Sequence, residues 1–204
     1  MTLVDLLPAL RLIATSPPPS DLRAVTYLAT YPSLLMMGSA KAPLGLTDLH
    51  QLCLVAYGWM PRIARLDPKH TPQALLALQL AQTATPSNLT SVRISNLALC
   101  LRSVVGASKV LHFVNPSTYP IWDSNIERFR QKANPTTSFM GEASNYLAYA
   151  NEVHAISTDP GFPGFHAQFN QGLASWLAAI GVPPYQVCNV RAIELAAFEL
   201  SRRG

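Results

Sequence analysis

Lys109 and Asp123 are the residues of this 204-residue chain whose types and spacing best suit covalent chemistry. A turn at 116–120 separates them, so two antiparallel helices can bring both side chains to the mouth of one cleft. An amine set among apolar groups has its charged form disfavoured, which frees it to act as a nucleophile. A carboxylate that caps a helix stays ionised, and it can accept a proton or stabilise a developing cation. The pair therefore suits displacement at a sugar carbon with departure of a nucleobase.

Aromatic and polar residues flank this pair and are the predicted walls of a substrate pocket. Aromatic walls suit a base that has been turned out of a nucleic acid stack. The same residues have a plainer explanation, in which the rings anchor the turn against the core and the histidine is a hydrogen-bonded packing residue. The predicted substrate-binding residues are His112, Phe113, Tyr119, Trp122 and Asn125.

Positive charge is concentrated in the middle of the chain. Residues 61–135 hold nine basic and three acidic residues, a net charge of +6, whereas 1–60 are neutral and 136–204 carry −2. Such a cluster is typical of a surface that binds a polyanion, although a solvated face gives the same pattern. The predicted DNA-binding residues within this region are Arg102, Gly106, Ser108, Arg128, Arg130 and Lys132.

Helix caps, apolar stripes and prolines recur along the chain and predict an all-α domain of about eight to ten helices. No segment shows the alternation typical of strands, so few strands are expected. One compact domain over 1–204 is predicted, and the proline-rich joints at 17–19 and 160–163 are interpreted as loops. After an apolar segment at the N-terminus, helices are predicted at 21–40, 48–60, 73–83, 88 or 90 to 105, 107–114, 124–133, 144–157, 166–180 and 186–203. The helix that runs to 105 is predicted to stop at Gly106, since glycine is the usual residue at a helix end.

Composition excludes several classes of protein. Hydrophobic residues make up 49% of the chain and charged residues 13%, which excludes intrinsic disorder. The three cysteines are far apart and form no CxxC pair, so neither a disulfide framework nor a metal site is expected. No cofactor, targeting segment or membrane span is predicted, and a cytoplasmic location is the expectation; the oligomeric state stays open.

The segment 106–128 resembles the helix-hairpin-helix DNA glycosylase superfamily, in a divergent form similar to the 8-oxoguanine glycosylase/lyases. Members are all-helical and have a glycine-containing hairpin, a lysine on the following helix, and a Pro-Val-Asp run whose aspartate begins a helix. This chain has Gly106, then Lys109, then Pro120-Ile121-Trp122-Asp123. The resemblance implies that Lys109 is a Schiff-base nucleophile and that Asp123 is the catalytic carboxylate. It also implies that hairpin amides at 105–107 hold a DNA phosphate.

Three functions remain open from the sequence. The first is a base-excision glycosylase, possessing lyase activity or having lost it, that binds duplex DNA and flips a damaged base. The second is a helical module that binds nucleic acid without catalysis, in which the basic face alone matters. The third is a helical protein-interaction or toxin-like factor, in which the low charge content reflects a covered surface.

Overall fold

The computed structural model describes residues 1–39, 42–60 and 63–203. Within these ranges the chain forms twelve α-helices, two short 3-10 helices and no strand, which confirms the all-α class. Ten of the α-helices have eight residues or more. The α-helices are α1 Leu3–Leu6, α2 Pro8–Thr15, α3 Leu22–Ser39, α4 Leu46–Trp59, α5 Thr71–Ala81, α6 Ser91–Leu101, α7 Val104–Val114, α8 Ser124–Gln131, α9 Thr137–Met140, α10 Ala143–Ser157, α11 Phe162–Ala179 and α12 Asn189–Arg203.

Helix α7 lies at the centre of the fold. Ten of its eleven residues are buried, as expected of a helix that is apolar on nearly every face. It packs against α3, α4, α5, α6 and α10. The contact with α3 is closest at Gly38, where an added Cβ would lie 1.9 Å from the carbonyl oxygen of Phe113. The buried apolar residues form one core that extends from Leu3 to Ala197.

The junction between α6 and α7 differs from the sequence prediction. A helix stop at Gly106 is wrong, because α6 ends at Leu101 and Arg102 takes the left-handed conformation with φ of 51°. Ser103 then caps α7, its Oγ accepting a hydrogen bond from the Gly106 amide at 2.9 Å. The two helices meet at 113°. Among the described residues no single helix is long and apolar enough to cross a membrane, and only this bent pair taken together passes such a test.

Two helix starts also differ from prediction. Helix α11 begins four residues early, at Phe162, because Pro163 fits a first helical turn, where its missing amide is not needed. Helix α12 begins three residues late, at Asn189. Ala40, the predicted end of the first long helix, lies outside the described residues.

Candidate functional site

A buried non-helical segment, Thr118–Trp122, connects the elements that carry the two candidate catalytic residues. We call this segment the strap. Each of its five carbonyl groups accepts a hydrogen bond from a side chain. His154 Nε2 donates to the Thr118 carbonyl at 2.8 Å, and His112 Nδ1 donates to the Tyr119 carbonyl at 2.7 Å. The Tyr146 hydroxyl donates to Pro120 at 2.9 Å and the Tyr149 hydroxyl to Ile121 at 3.0 Å. Lys109 Nζ donates to Trp122 at 3.5 Å.

Two amides of the strap are held in the same way. The Ile121 amide donates to the Glu194 carboxylate, and the Trp122 amide donates to Ser108 Oγ at 3.1 Å. The side chains that hold the strap therefore come from α7, α10 and α12. A buried backbone outside regular structure needs such partners, because an unpaired polar group there is costly. The result is that the backbone leading into Asp123 is fixed from three sides.

Asp123 caps α8, as the sequence predicts. Its Oδ1 accepts hydrogen bonds from the amides of Asn125 and Ile126, both at 2.9 Å. Its Oδ2 makes no hydrogen bond to any other described residue, and the side chain is half-buried. One carboxylate oxygen is therefore committed to the helix, and the other is open to a further partner.

Lys109 and Asp123 line the same cleft, which has a volume of about 730 Å³. Lys109 is only 6% exposed, since α7 carries it in the core. Five cations line this cleft, namely Arg23, Arg102, Lys109, Arg191 and Arg202. Three carboxylates line it as well, namely Asp21, Asp123 and Glu199. Arg102 and Arg191 pair with two further carboxylates outside the lining, Asp67 and Glu194, so the charges around the cleft nearly balance. The cleft brings an amine and a carboxylate to one shared space.

Four of the predicted pocket-wall residues lie elsewhere, in the core. His112, Phe113, Tyr119 and Trp122 have no exposed surface. The Trp122 indole donates to Glu127 at 2.8 Å, and the Tyr119 hydroxyl accepts from Arg93 at 2.8 Å. Of the predicted set Asn125 alone lines the cleft. The aromatic wall is formed instead by residues that the sequence analysis missed, Tyr27, Trp59 and Phe198.

His112 is a packing residue. Its Nδ1 must carry a proton, because its partner is the Tyr119 carbonyl, which can only accept. Its Nε2 consequently accepts from the Tyr31 hydroxyl at 2.9 Å. Complete burial lowers the pKa of His112 well below its usual value, and the nearby Arg191 charge adds to the effect. The imidazole is therefore neutral and holds the strap.

Three of the predicted DNA-binding residues are internal. Gly106 lies in the first turn of α7, and a Cβ there would lie 3.1 Å from the Tyr57 hydroxyl and 3.2 Å from its ring. Ser108 is buried and holds the strap. Arg130 forms ion pairs with Glu127 at 2.5 Å and with Glu152 at 2.8 Å, which tie α8 to α10. Ser108 and Arg130 are internal because their polar groups already satisfy other groups of the fold, and Gly106 is internal because it packs against Tyr57.

The other three predicted DNA-binding residues reach solvent. The side chain of Arg102 is 69% exposed while it pairs with Asp67 at 3.0 Å. Arg128 and Lys132 are exposed at the end of α8, where Lys132 lies 4.2 Å from the ring centre of Phe129. Arg62, which contributes to the central positive charge, lies outside the described residues.

A buried ion pair beside the cleft was not anticipated from the sequence. Arg191 donates from Nη1 to Glu194 Oε1 at 2.6 Å, and both side chains are almost fully buried. Burial raises the pKa of Glu194 to about 7, although the Arg191 charge opposes the shift. Their spacing of three residues on a helix is a signal for a pair, but it indicates nothing about burial.

The described residues contain no group of three or more histidine, cysteine or acidic side chains placed to hold a metal ion. Comparison of the chain with protein-family models, with curated proteins and with solved structures finds no match in any of the three. The case for a function therefore rests on the chemistry of the cleft.

Proposed function

We propose that this chain is a DNA base-excision glycosylase with lyase activity, built on the helix-hairpin-helix plan that its central segment resembles. The observation that carries the proposal is the shared cleft of Lys109 and Asp123. Its volume of about 730 Å³ is of the size that a base-sized ligand needs. The aromatic wall of Tyr27, Trp59 and Phe198 agrees with a ligand that contains planar rings.

In the proposed reaction the neutral amine of Lys109 attacks C1′ of the deoxyribose. The bond between C1′ and the base nitrogen breaks, and the electron pair leaves with the base, which takes up a proton. The nitrogen that has attacked loses one proton, which the departing base takes up. The bond between C1′ and the ring oxygen O4′ then breaks, O4′ takes up a proton from solvent, and the nitrogen lone pair forms an iminium between Nζ and C1′. The free Oδ2 of Asp123 is the group that stabilises the positive charge developing at C1′.

The surroundings of the two side chains support these roles. The Trp122 carbonyl is 3.5 Å from Lys109 Nζ, and Asp123 is the next residue along the chain. The strap that ends at Trp122 is held by three helices, so the amine and the carboxylate are fixed relative to one another. Such fixed positioning is a major part of enzymatic rate enhancement.

Borohydride trapping on duplex DNA with an abasic site tests the lysine. We expect a covalent adduct with the intact chain, because borohydride reduces the iminium to a stable amine. The substitution Lys109→Gln removes the amine, keeps a polar side chain one atom shorter, and should abolish the adduct. Lys69→Gln is the matched control, since Lys69 is exposed outside the cleft and is not among the predicted DNA-binding residues, and its adduct should form normally. Absence of an adduct with the intact chain contradicts the proposal.

Asp123→Asn tests the carboxylate separately from the helix cap. Asparagine caps helices about as well as aspartate, so α8 should persist and DNA binding should be retained. Without the charge, release of base from damaged duplex should fall on the order of a hundredfold. If base release is unchanged, the carboxylate has no part in the reaction. Salt-dependent DNA binding without any adduct or base release would favour the non-catalytic nucleic-acid module.

A further inference from the structure

The antiparallel helices α5 and α6 present an apolar surface to solvent. They pack against each other, and Thr71 Oγ1 at the start of α5 lies 4.0 Å from Cys100 Sγ near the end of α6. On each helix two large apolar side chains are about half-exposed or more, and their spacing of four or seven residues places them on one stripe. They are Leu76 at 55% and Leu80 at 49% on α5, and Val92 at 65% and Leu99 at 51% on α6. We call the solvent-facing residues of 71–101 the hairpin face.

The hairpin face has almost no charge. Arg93 is the only acidic or basic residue within 71–101, and that range contains no histidine. The Arg93 side chain is half-buried, and its Nη1 donates to the Tyr119 hydroxyl at 2.8 Å. The exposed polar groups of the face are uncharged amides and hydroxyls, as at Gln73 and Thr83. A DNA backbone or an anionic membrane needs exposed cations, so the partner that suits this face is another protein surface.

The same features make the hairpin face complementary to itself. A symmetric dimer places one patch against its own copy, so a charged patch would repel itself, whereas an uncharged apolar patch does not. Homodimer interfaces are accordingly more apolar than the rest of a protein surface. The size of the face fits as well, since 21 of the 31 residues in 71–101 are exposed or partly exposed, and a standard interface uses about 20–30 residues from each partner. Two antiparallel helices from each copy also complete a four-helix bundle, a common packing arrangement.

We propose that two copies of this chain associate through their hairpin faces, so that α5 and α6 of each copy form a four-helix bundle with the four apolar side chains of each face in its core. The low charge content of the chain, 13%, agrees with a surface that is covered in this way. The proposal goes beyond the glycosylase function and does not rest on it. None of the described residues that line the cleft lies within 71–101, so association and cleft chemistry belong to separate parts of the molecule.

Sedimentation equilibrium of the full chain at micromolar concentration tests the proposal. The intact chain should have twice the mass of one chain. Leu76→Arg brings an unpaired charge from each copy into the apolar contact, so it should weaken dimerisation by about a hundredfold or more. Leu76 faces solvent in the single chain, so the variant should keep its helix content by circular dichroism. Leu22→Arg is the matched control, since Leu22 is 85% exposed at the start of α3, outside the hairpin face, and its dimer should persist.

A mixing experiment separates a second copy from any other protein partner. Leu76→Glu and Leu76→Lys should each be monomeric, and an equimolar mixture of the two should restore the dimer, because opposite charges then face each other. A monomeric intact chain, a dimer that survives Leu76→Arg, equal weakening by Leu22→Arg, or a mixture that stays monomeric would each overturn the proposal. The borohydride adduct of Leu76→Arg should match that of the intact chain. A missing adduct with the intact chain therefore counts against the glycosylase function alone, and a missing dimer counts against the hairpin face alone.

Discussion

Four ionisable side chains meet without solvent next to the cleft, and burial is the main cause that sets their protonation states. Tyr31 contacts His112, His112 Nε2 lies 3.7 Å from Glu194 Oε1, and Glu194 pairs with Arg191. Burial raises the pKa of Tyr31 and of Glu194 and lowers that of His112. The network therefore keeps its histidine neutral, and the folded chain resists adding a proton there.

Acidification should therefore lower the free energy of unfolding. The pKa of His112 is depressed in the folded state, so the stability it contributes is complete above pH 6.5 and is lost as the pH falls below that value. The unfolded chain then binds a proton that the folded chain excludes, at about 1.4 kcal/mol per pH unit. The free energy of unfolding of the intact chain, relative to His112→Gln, should fall by about this amount per unit below pH 6.5.

Urea unfolding at pH 7.0 and pH 5.5 measures this difference. The raised pKa of Glu194 works in the opposite direction, because its contribution grows as the pH falls through 7 towards the value in the unfolded chain. The carboxyl group is present in both proteins, so to first order its effect cancels from the comparison. An identical pH dependence for the intact chain and for His112→Gln would show that the imidazole binds its proton normally in the fold.

At the scale of the elements, glycines decide how closely helices approach. Gly38 of α3 faces the backbone of α7, where a Cβ would lie 1.9 Å from the Phe113 carbonyl oxygen and 2.4 Å from its carbon. Gly58 of α4 has open space in the corresponding position. The same substitution at the two sites therefore separates packing from intrinsic helix propensity.

Gly38→Ala should destabilise the fold by about 3 kcal/mol or more, because one helix backbone must shift away from another. Gly58→Ala should stabilise it by roughly 0.5–1 kcal/mol, since alanine has the higher helix propensity and meets nothing. Urea unfolding of both variants beside the intact chain gives the two differences. Equal effects at the two positions would mean that α3 and α7 are not held in close contact.

An element could be predicted from the sequence where the residues that determine it lie close together in the chain. The cap at Asp123 is confirmed, since a cap is fixed by residues within one turn. Gly106 was interpreted as a helix stop because glycine is the usual left-handed residue, yet here Arg102 takes that conformation. The burial of His112 and Trp122 could not be predicted, because a polar or aromatic residue that faces a pocket and one that holds a strap look alike in sequence. Trp59 and Arg191 both line the cleft but come from α4 and α12, which are far apart in the chain, so no local pattern predicts that they meet.

At the scale of the whole molecule, the central positive charge divides into structural and solvent-exposed cations. Arg130 is engaged by Glu127 and Glu152, and Lys109 lies in the core. Arg128 and Lys132 remain exposed on α8. The surface available to a DNA backbone is therefore smaller than the net charge of the segment suggests.

Salt dependence of duplex binding should distinguish these cations. Under the proposed function, Arg128→Gln and Lys132→Asn should each reduce the slope of log affinity against log salt by about one, the value for one lost phosphate contact. Asparagine suits position 132, where φ is 56°. Arg130→Gln should instead lower the free energy of unfolding, because it leaves Glu127 buried without its cation. Fluorescence anisotropy at several salt concentrations gives the slopes, and unchanged slopes would exclude α8 from the DNA interface.

The strap also constrains the order in which the molecule assembles. Its hydrogen-bond partners are distant in sequence. The residues that bond the Thr118, Pro120 and Ile121 carbonyls lie 36, 26 and 28 residues away, and Glu194, which bonds the Ile121 amide, lies 73 residues away. These bonds need α10 and α12 in place beside the strap, because no local contact can replace them. A chain that has lost α12 would keep Lys109 and Asp123 but would lose Glu194, which holds the Ile121 amide, and the cleft residues Arg191 and Phe198.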